Sequence, residues 1–281
     1  MKLKKFTYIV VTILSCLNLS AQREMNFTYE HSTDFKYPVR TQVILRSSSG
    51  KIELYSDTLK SFKLQSLDYF QGKGIYTIEV KFENDKYKDS ISYDFEISGM
   101  EIGIDIDLSF SFDTQFFIFD LKKRENPLPR AFLKITRYYK SNSVEIAIAK
   151  VRESNKAGSL KGPFFAIINN SNDTIYGEYH PNYLWGTLSV LQQDSTWRGL
   201  GAELDSNFAG SSPLYPGRIS LATVGSFGYS NNLPSGKYKY ILLYTTKNQS
   251  RGPLLYKENE SCVWYVGEKE FYKLIFEYEK K

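Results

Sequence analysis

Apolar and polar positions alternate along much of this chain, the pattern of strands with one buried and one solvated face. Val39-Arg-Thr-Gln-Val-Ile-Leu45, Ile75-Tyr-Thr-Ile-Glu-Val-Lys-Phe82 and Ile91-Ser-Tyr-Asp-Phe-Glu-Ile97 all follow it. The cleanest stretch puts Ile102, Ile104, Ile106, Leu108 and Phe110 on one face. Turn residues punctuate the runs at Ser47-Ser48-Ser49-Gly50, Gln71-Gly72-Lys73-Gly74 and Glu83-Asn84-Asp85. No helical period longer than two turns interrupts them. The fold class expected is all-β, with two β-sandwich domains.

Lys122-Lys-Arg-Glu-Asn-Pro-Leu-Pro129 breaks the pattern, because charge followed by two prolines cannot continue a central strand. A linker at 122–130 is expected there, between an N-terminal sandwich over 22–121 and a larger C-terminal sandwich over 131–281. The second domain reads as strands at 132–138, 144–151, 164–169, 174–177, 183–191, 196–200, 218–224, 237–246, 262–266 and 271–278. Asn169 to Asp173 is expected to form a turn, and Gln192 to Ser195 to close a hairpin whose far arm begins at Trp197.

The first residues change the picture from any β protein to an exported one. Lys2, Lys4 and Lys5 precede an uncharged run from Phe6 to Leu17, and Leu19-Ser20-Ala21 ends it with small residues. This is the make-up of a signal peptide at 1–21, cleaved after Ala21. The apolar run falls short of the ~20 residues that span a bilayer, so no transmembrane segment is expected in the mature chain. Ile13-Leu14-Ser15-Cys16 offers a second route, lipidation of Cys16 and tethering to the outer membrane. The expected location is periplasmic or secreted, with that lipoprotein as the alternative.

Loss of the three leader lysines takes the formal charge from +5 to +2. With no Lys/Arg stripe, a nucleic-acid partner is not expected. The mature chain keeps one cysteine, Cys262, in the strand-like Ser261-Cys-Val-Trp-Tyr-Val266, and a buried inert thiol is expected there. One cysteine with His31 and His180 far apart has no zinc spacing.

Val144–Lys150, Phe165–Ser171 with Asp173–Tyr176, Leu188–Trp197, Leu214-Tyr-Pro-Gly-Arg218 and Leu233-Pro-Ser-Gly-Lys-Tyr-Lys-Tyr240 follow one another in the second domain. Together they resemble the immunoglobulin-like domains of bacterial envelope proteins. The likeness covers roughly 140–245. Pro234-Ser-Gly236 is one residue longer than the family's Pro-Gly entry, and the strands beyond 260 fall outside the likeness. The first domain more weakly resembles prealbumin-like or immunoglobulin-like exported modules. What the resemblance implies is a fold, and a habit of serving as spacer or binding module. It carries no catalytic residues.

Catalytic patterns are not found in the residues. No Gly-x-Ser-x-Gly elbow occurs, and His180, before Pro181, reads as a loop histidine. Glu203 with Asp205, and Asp105 with Asp107, alternate as solvated faces do. Glu101, Asp105 and Asp107 bring oxygen ligands for a hard cation, without the loop that would organise them. The chain is therefore expected not to be an enzyme, with no cofactor and no metal.

The best candidate surface is aromatic: Tyr176, Tyr179, His180, Tyr183 and Trp185 fall within ten residues, with Trp197 following. Such side chains stack on sugar rings. The ordinary reading puts Trp197, and also Trp185, in the core. Asp57-Thr58-Leu, Asp89-Ser90-Ile, Asp173-Thr174-Ile and Asp194-Ser195-Thr resemble a tripeptide that some Gram-negative bacteria O-glycosylate, which would modify Thr58, Ser90, Thr174 and Ser195. Asp-Ser and Asp-Thr are also ordinary turn residues. The function expected is an exported, non-catalytic binding or scaffolding module of the cell envelope, its partner another envelope protein or a polysaccharide. The alternative is a carbohydrate-binding protein using the aromatic cluster at 176–197.

Overall fold

The computed structural model describes residues 24–31, 39–58, 61–66, 72–85, 87–111, 129–149, 164–177, 184, 186–200, 213–223, 234–248, 254–258 and 261–280. The chain is all-β with several sheets. Among the described residues no helix is long and apolar enough to cross a membrane.

The strands in order are β1 (Glu24–His31), β2 (Arg40–Ser47), β3 (Gly50–Asp57), β4 (Ser61–Ser66), β5 (Gly74–Glu83), β6 (Lys88–Ile97), β7 (Glu101–Ser111), β8 (Arg130–Lys140), β9 (Val144–Ala149), β10 (Phe164–Asn169), β11 (Tyr176–Gly177), β12 (Gly186–Leu191), β13 (Trp197–Leu200), β14 (Ile219–Thr223), β15 (Gly236–Thr245), β16 (Leu254–Glu258) and β17 (Val263–Lys280). They divide into two compact units. The first is residues 1–137 with 253–268, and the second is 138–252 with 269–281. Residues 253–268, placed in the C-terminal domain by the sequence pattern, thus group with the first unit. Of the expected linker only Pro129 and Arg130 lie within the described residues.

In the first unit one sheet runs β3-β2-β5-β6, antiparallel throughout. The other runs β4-β1-β7-β8-β17, with β16 on β17, and β1 lies parallel to β7. Alternation explains the core between them. Met25, Phe27 and Tyr29 of β1 and Ile104, Ile106, Leu108 and Phe110 of β7 turn inward against Tyr76, Ile78, Val80 and Phe82 of β5. Ile102, the first residue of the expected stripe, is half-buried. An aromatic knot fills the middle: Phe110 packs edge-on against Phe82 at 5.1 Å and against Trp264 at 5.8 Å, and Tyr29 stacks on Tyr55 at 5.0 Å. Such pairs add about 0.5–1.5 kcal/mol each beyond area burial. Cys262 is wholly buried beside this knot, and burial, with Asp89 nearby, pushes its thiol well above the ordinary range.

One bulge sets the surface chemistry of the four-stranded sheet. Val43 pairs with Tyr55 but Ile44 pairs with Glu53, so Leu54 is the extra residue of β3. Leu54 and Tyr55 are then both buried, as a bulge permits.

In the second unit β14-β10-β9 form a three-stranded antiparallel sheet, and β13-β12-β15-β17 a second, with β11 also on β15. The core is rich in tyrosine. Tyr240 stacks on Phe165 at 4.3 Å, Tyr238 on Tyr278 at 5.3 Å and Tyr244 on Tyr272 at 5.2 Å. Gly186 is required here, because a Cβ would lie 2.4 Å from the Ile241 carbonyl oxygen and 2.5 Å from Tyr240 Cζ. Buried Asn169 joins two turns: its amide donates to Asp173 O (2.8 Å) and Leu214 O (2.9 Å), and its Oδ1 accepts from Ser171 Oγ (2.6 Å).

The hairpin at Gln192–Ser195 forms, with Leu191 opposite Trp197. The two strands expected at 262–266 and 271–278 are one. Residues 267–270 stay extended because their acids have partners within reach: Glu268 bonds Arg137 and Tyr93, and Glu270 bonds Lys247 (2.9 Å).

Candidate functional site

Register places polar side chains from four strands in rows on the outer face of β3-β2-β5-β6. Ser56, Gln42, Lys81 and Ser90 make one row, and Arg40, Glu83 and Lys88 the next. Together with Phe82 and Asp89 these residues line a groove of about 590 Å³. That volume lies within the ~300–1,000 Å³ usual for ligand sites. Unlike most such sites, this one is lined chiefly by charge, amide and hydroxyl.

Each carboxylate at the groove already has partners. Glu83 meets Lys88 Nζ at 3.4 Å. Asp89 Oδ1 accepts from Ser90 N and its Oδ2 from Trp264 Nε1, both at 2.7 Å. The second bond ties the groove to the aromatic core, which fixes the N-terminal end of edge strand β6. Just outside the groove, Glu79 bridges Lys81 and Arg46, both at 2.7 Å, and these two cations hold its carboxyl below the ordinary value. Gln42 Nε2 donates to Glu53 Oε2 at 3.0 Å.

Strand β6 is held at two further points. Tyr93 OH donates to Glu268 Oε1 at 2.8 Å, and Arg137 Nη2 donates to Glu96 O at 3.2 Å while Arg137 also pairs with Glu268. Burial, then the Glu268 carboxylate, pushes the Tyr93 phenol up to about 12. The surface is therefore carried on a rigid frame, the condition for a pre-formed site.

The acidic residues noted in β7 have local partners. Glu101 caps the 98–99 turn, accepting from Ser98 N (2.9 Å), Ser98 Oγ (3.0 Å) and Gly99 N (2.8 Å). Burial opposes its ionisation, but these donors outweigh it and lower the carboxyl's pKa. Asp105 accepts from Asn26 at 2.7 Å, and burial raises Asp107. Among the described residues no group of acids, histidines or cysteines is placed to hold a metal ion.

Of the aromatic cluster, Tyr176 is half-buried in β11, opposite Thr245. Tyr179, His180, Tyr183 and Trp185 lie outside the described residues, as do Cys16, Glu203 and Asp205. Trp197 departs from its expected core position. It is half-buried at the start of β13, with Lys239 Nζ 4.3 Å above its ring. Four-residue β13 is an outer strand, so its tryptophan finds a cation rather than a facing sheet.

The four Asp-Ser/Thr sites fall in unlike places. Thr58 is exposed just after β3, Ser90 is exposed on β6 in the groove, and Thr174 is half-buried before the Ile175 bridge. Ser195 is exposed at the hairpin tip with a left-handed φ of 65°. Asp194 there accepts from Thr196 N (3.0 Å) and Oγ1 (2.6 Å), a local turn bond.

Arg40, Gln42, Ser56, Lys81 and Lys88 were not singled out by sequence. No short-range signal marks them, because register alone brings them together. Comparison of the chain with protein-family models, with curated proteins and with solved structures gave no match.

Proposed function

We propose that this protein is an exported, non-catalytic binding or scaffolding module of the bacterial cell envelope. In this reading two immunoglobulin-like sandwiches follow a leader cleaved after Ala21, and the product is periplasmic or secreted. The observation that carries the reading is the groove on β3-β2-β5-β6. Its two carboxylates are engaged by Lys88, Ser90 and Trp264. Acid–base catalysis needs a carboxyl free to exchange protons with substrate, whereas a fixed lattice of cations, amide and hydroxyls suits recognition.

The test is affinity capture from envelope extract with residues 22–281 as bait, reading both proteins and sugars. Retention of one stoichiometric partner, without chemical change to it, is the expected result. Turnover of the captured material, or no retention at all, overturns the reading.

The second reading is carbohydrate binding through the aromatic cluster at 176–197. What favours it is Trp197, which is open enough to carry Lys239 over its ring. In that case Tyr179→Ala or Tyr183→Ala weakens glycan binding with stability unchanged. Tethering through a lipidated Cys16 is compatible with either reading, and mass measurement of the mature N-terminus separates it from cleavage after Ala21.

A further inference from the structure

We infer that the groove on the four-stranded sheet takes an anionic, polyhydroxylated chain, specifically a carboxylate-bearing oligosaccharide. This deepens the binding-module reading and rests on it.

Three cations, Arg40, Lys81 and Lys88, border the groove. Arg40 and Lys88 stand on either side of Glu83 in one row, two strand spacings apart, and Lys81 is in the adjoining row on the same strand as Glu83. Strand spacing of about 4.8 Å, and about 7 Å between alternate residues of a strand, make this a triangle with sides of roughly 7–10 Å. Lys81 is drawn to Glu79 and Lys88 to Glu83, so the ammonium groups are held at separate anchors. Cations rooted this far apart favour acidic groups at separate points over one lone phosphate or sulfate. A chain with acidic groups on separate sugars supplies them.

The remaining lining agrees. Gln42, Ser56 and Ser90 stand in the row between, where hydroxyls of a sugar ring find donors and acceptors. Among the described lining residues only Phe82 is aromatic, and it is buried with the core. Recognition therefore runs through charge and hydrogen bonds rather than ring stacking. Among the described residues Arg40 makes no ion pair, which leaves its five-donor fork for a carboxylate. The whole surface spans four strands, about 14 Å, long enough for roughly three sugars.

The experiment is calorimetric titration of the purified chain at low salt with three probes: oligogalacturonate, a neutral dextrin of equal length, and inorganic sulfate. Oligogalacturonate is expected to bind at least about tenfold more tightly than either other probe. Arg40→Gln with Lys81→Gln weakens it at least about tenfold, while Lys51→Gln, outside the groove on the same sheet, leaves it unchanged. Binding should also weaken steeply with salt. Circular dichroism confirms that the double variant is folded, which is expected because both residues are exposed. Equal binding of neutral dextrin, binding indifferent to the double substitution, or no oligogalacturonate binding at millimolar concentration overturns the inference. If envelope capture still returns one stoichiometric partner, only the ligand class has failed. If it returns none, the binding-module reading fails with it.

Discussion

The two smaller sheets, four-stranded in the first unit and three-stranded in the second, present opposite outer faces. On β3-β2-β5-β6 the outward positions include Arg40, Gln42 and Arg46 of β2, Ile75, Thr77, Glu79, Lys81 and Glu83 of β5, and Lys88, Ser90, Ser92, Asp94 and Glu96 of β6. On β14-β10-β9 they include Ile219, Ile168, Ala166 and Ala147, with Glu145 at the margin. Ile219 is 63% exposed. Two apolar residues share the first face: Ile44, only 1% exposed and flanked in register by Glu53 and Glu79, and Ile75, 68% exposed at the start of β5 opposite Glu96. Alternation gave each sheet an inside. What lies outside was left to the individual residues, and charge gathers on one sheet and methyl groups on the other. The cores, by contrast, are alike in kind, each built on stacked and edge-on aromatic rings.

The largest test of that shared dependence is Trp264→Ala. It removes the ring that packs on Phe82 and Phe110, together with the donor to Asp89, and should cost about 3–5 kcal/mol, read from denaturant midpoints. Alkaline pH attacks both units at once. Burial pushes Tyr29, held to Thr41 Oγ1 at 3.0 Å, up to about 12, and Tyr278 of the second unit likewise to about 12. Each is protonated in the fold at a pH where the unfolded chain ionises. The stabilisation is complete below about pH 10 and is lost as pH rises toward 12, by roughly 2 kcal/mol for Tyr29. The last part of the phenolate absorbance should therefore rise together with loss of structure, and its appearance with the fold intact would contradict the coupling. Gly186→Ala drives a methyl against Tyr240 and the Ile241 carbonyl and should cost about 1–3 kcal/mol by thermal melting. Smallest are the faces themselves. Ile219→Lys and Arg46→Ile should each shift stability by less than about 0.5 kcal/mol, yet move retention on a hydrophobic column in opposite directions.

Much of the fold was legible, for reasons visible in particular strands. β5, β6 and β7 alternate over ten or eleven residues, and their expected spans differ from the observed ones by three residues at most. β4 and β16, six and five residues long, are too short for a period to stand out. β1 begins a few residues after the uncharged run of residues 6–17, and β3 loses its alternation at the Leu54 bulge. The join of 262–266 to 271–278 depended on partners of Glu268 and Glu270 more than twenty residues away. The groove was illegible for the same reason. Arg40, Ser56, Lys81 and Ser90 span fifty residues, and only pairing of four strands makes them neighbours. An aromatic cluster close in sequence drew attention instead, and its one described tryptophan, Trp197, stands on an outer strand.

Strand β17 supplies Trp264 to the first unit and Tyr272, Phe276 and Tyr278 to the second. A nascent chain grown from its N-terminus to residue 245 would therefore hold β1 to β15 of the described residues and still lack the β17 side chains of both cores. Maturation of both halves waits on the same late segment, which acts as a common timer. Once it emerges, each half gains the aromatic side chains that complete its core.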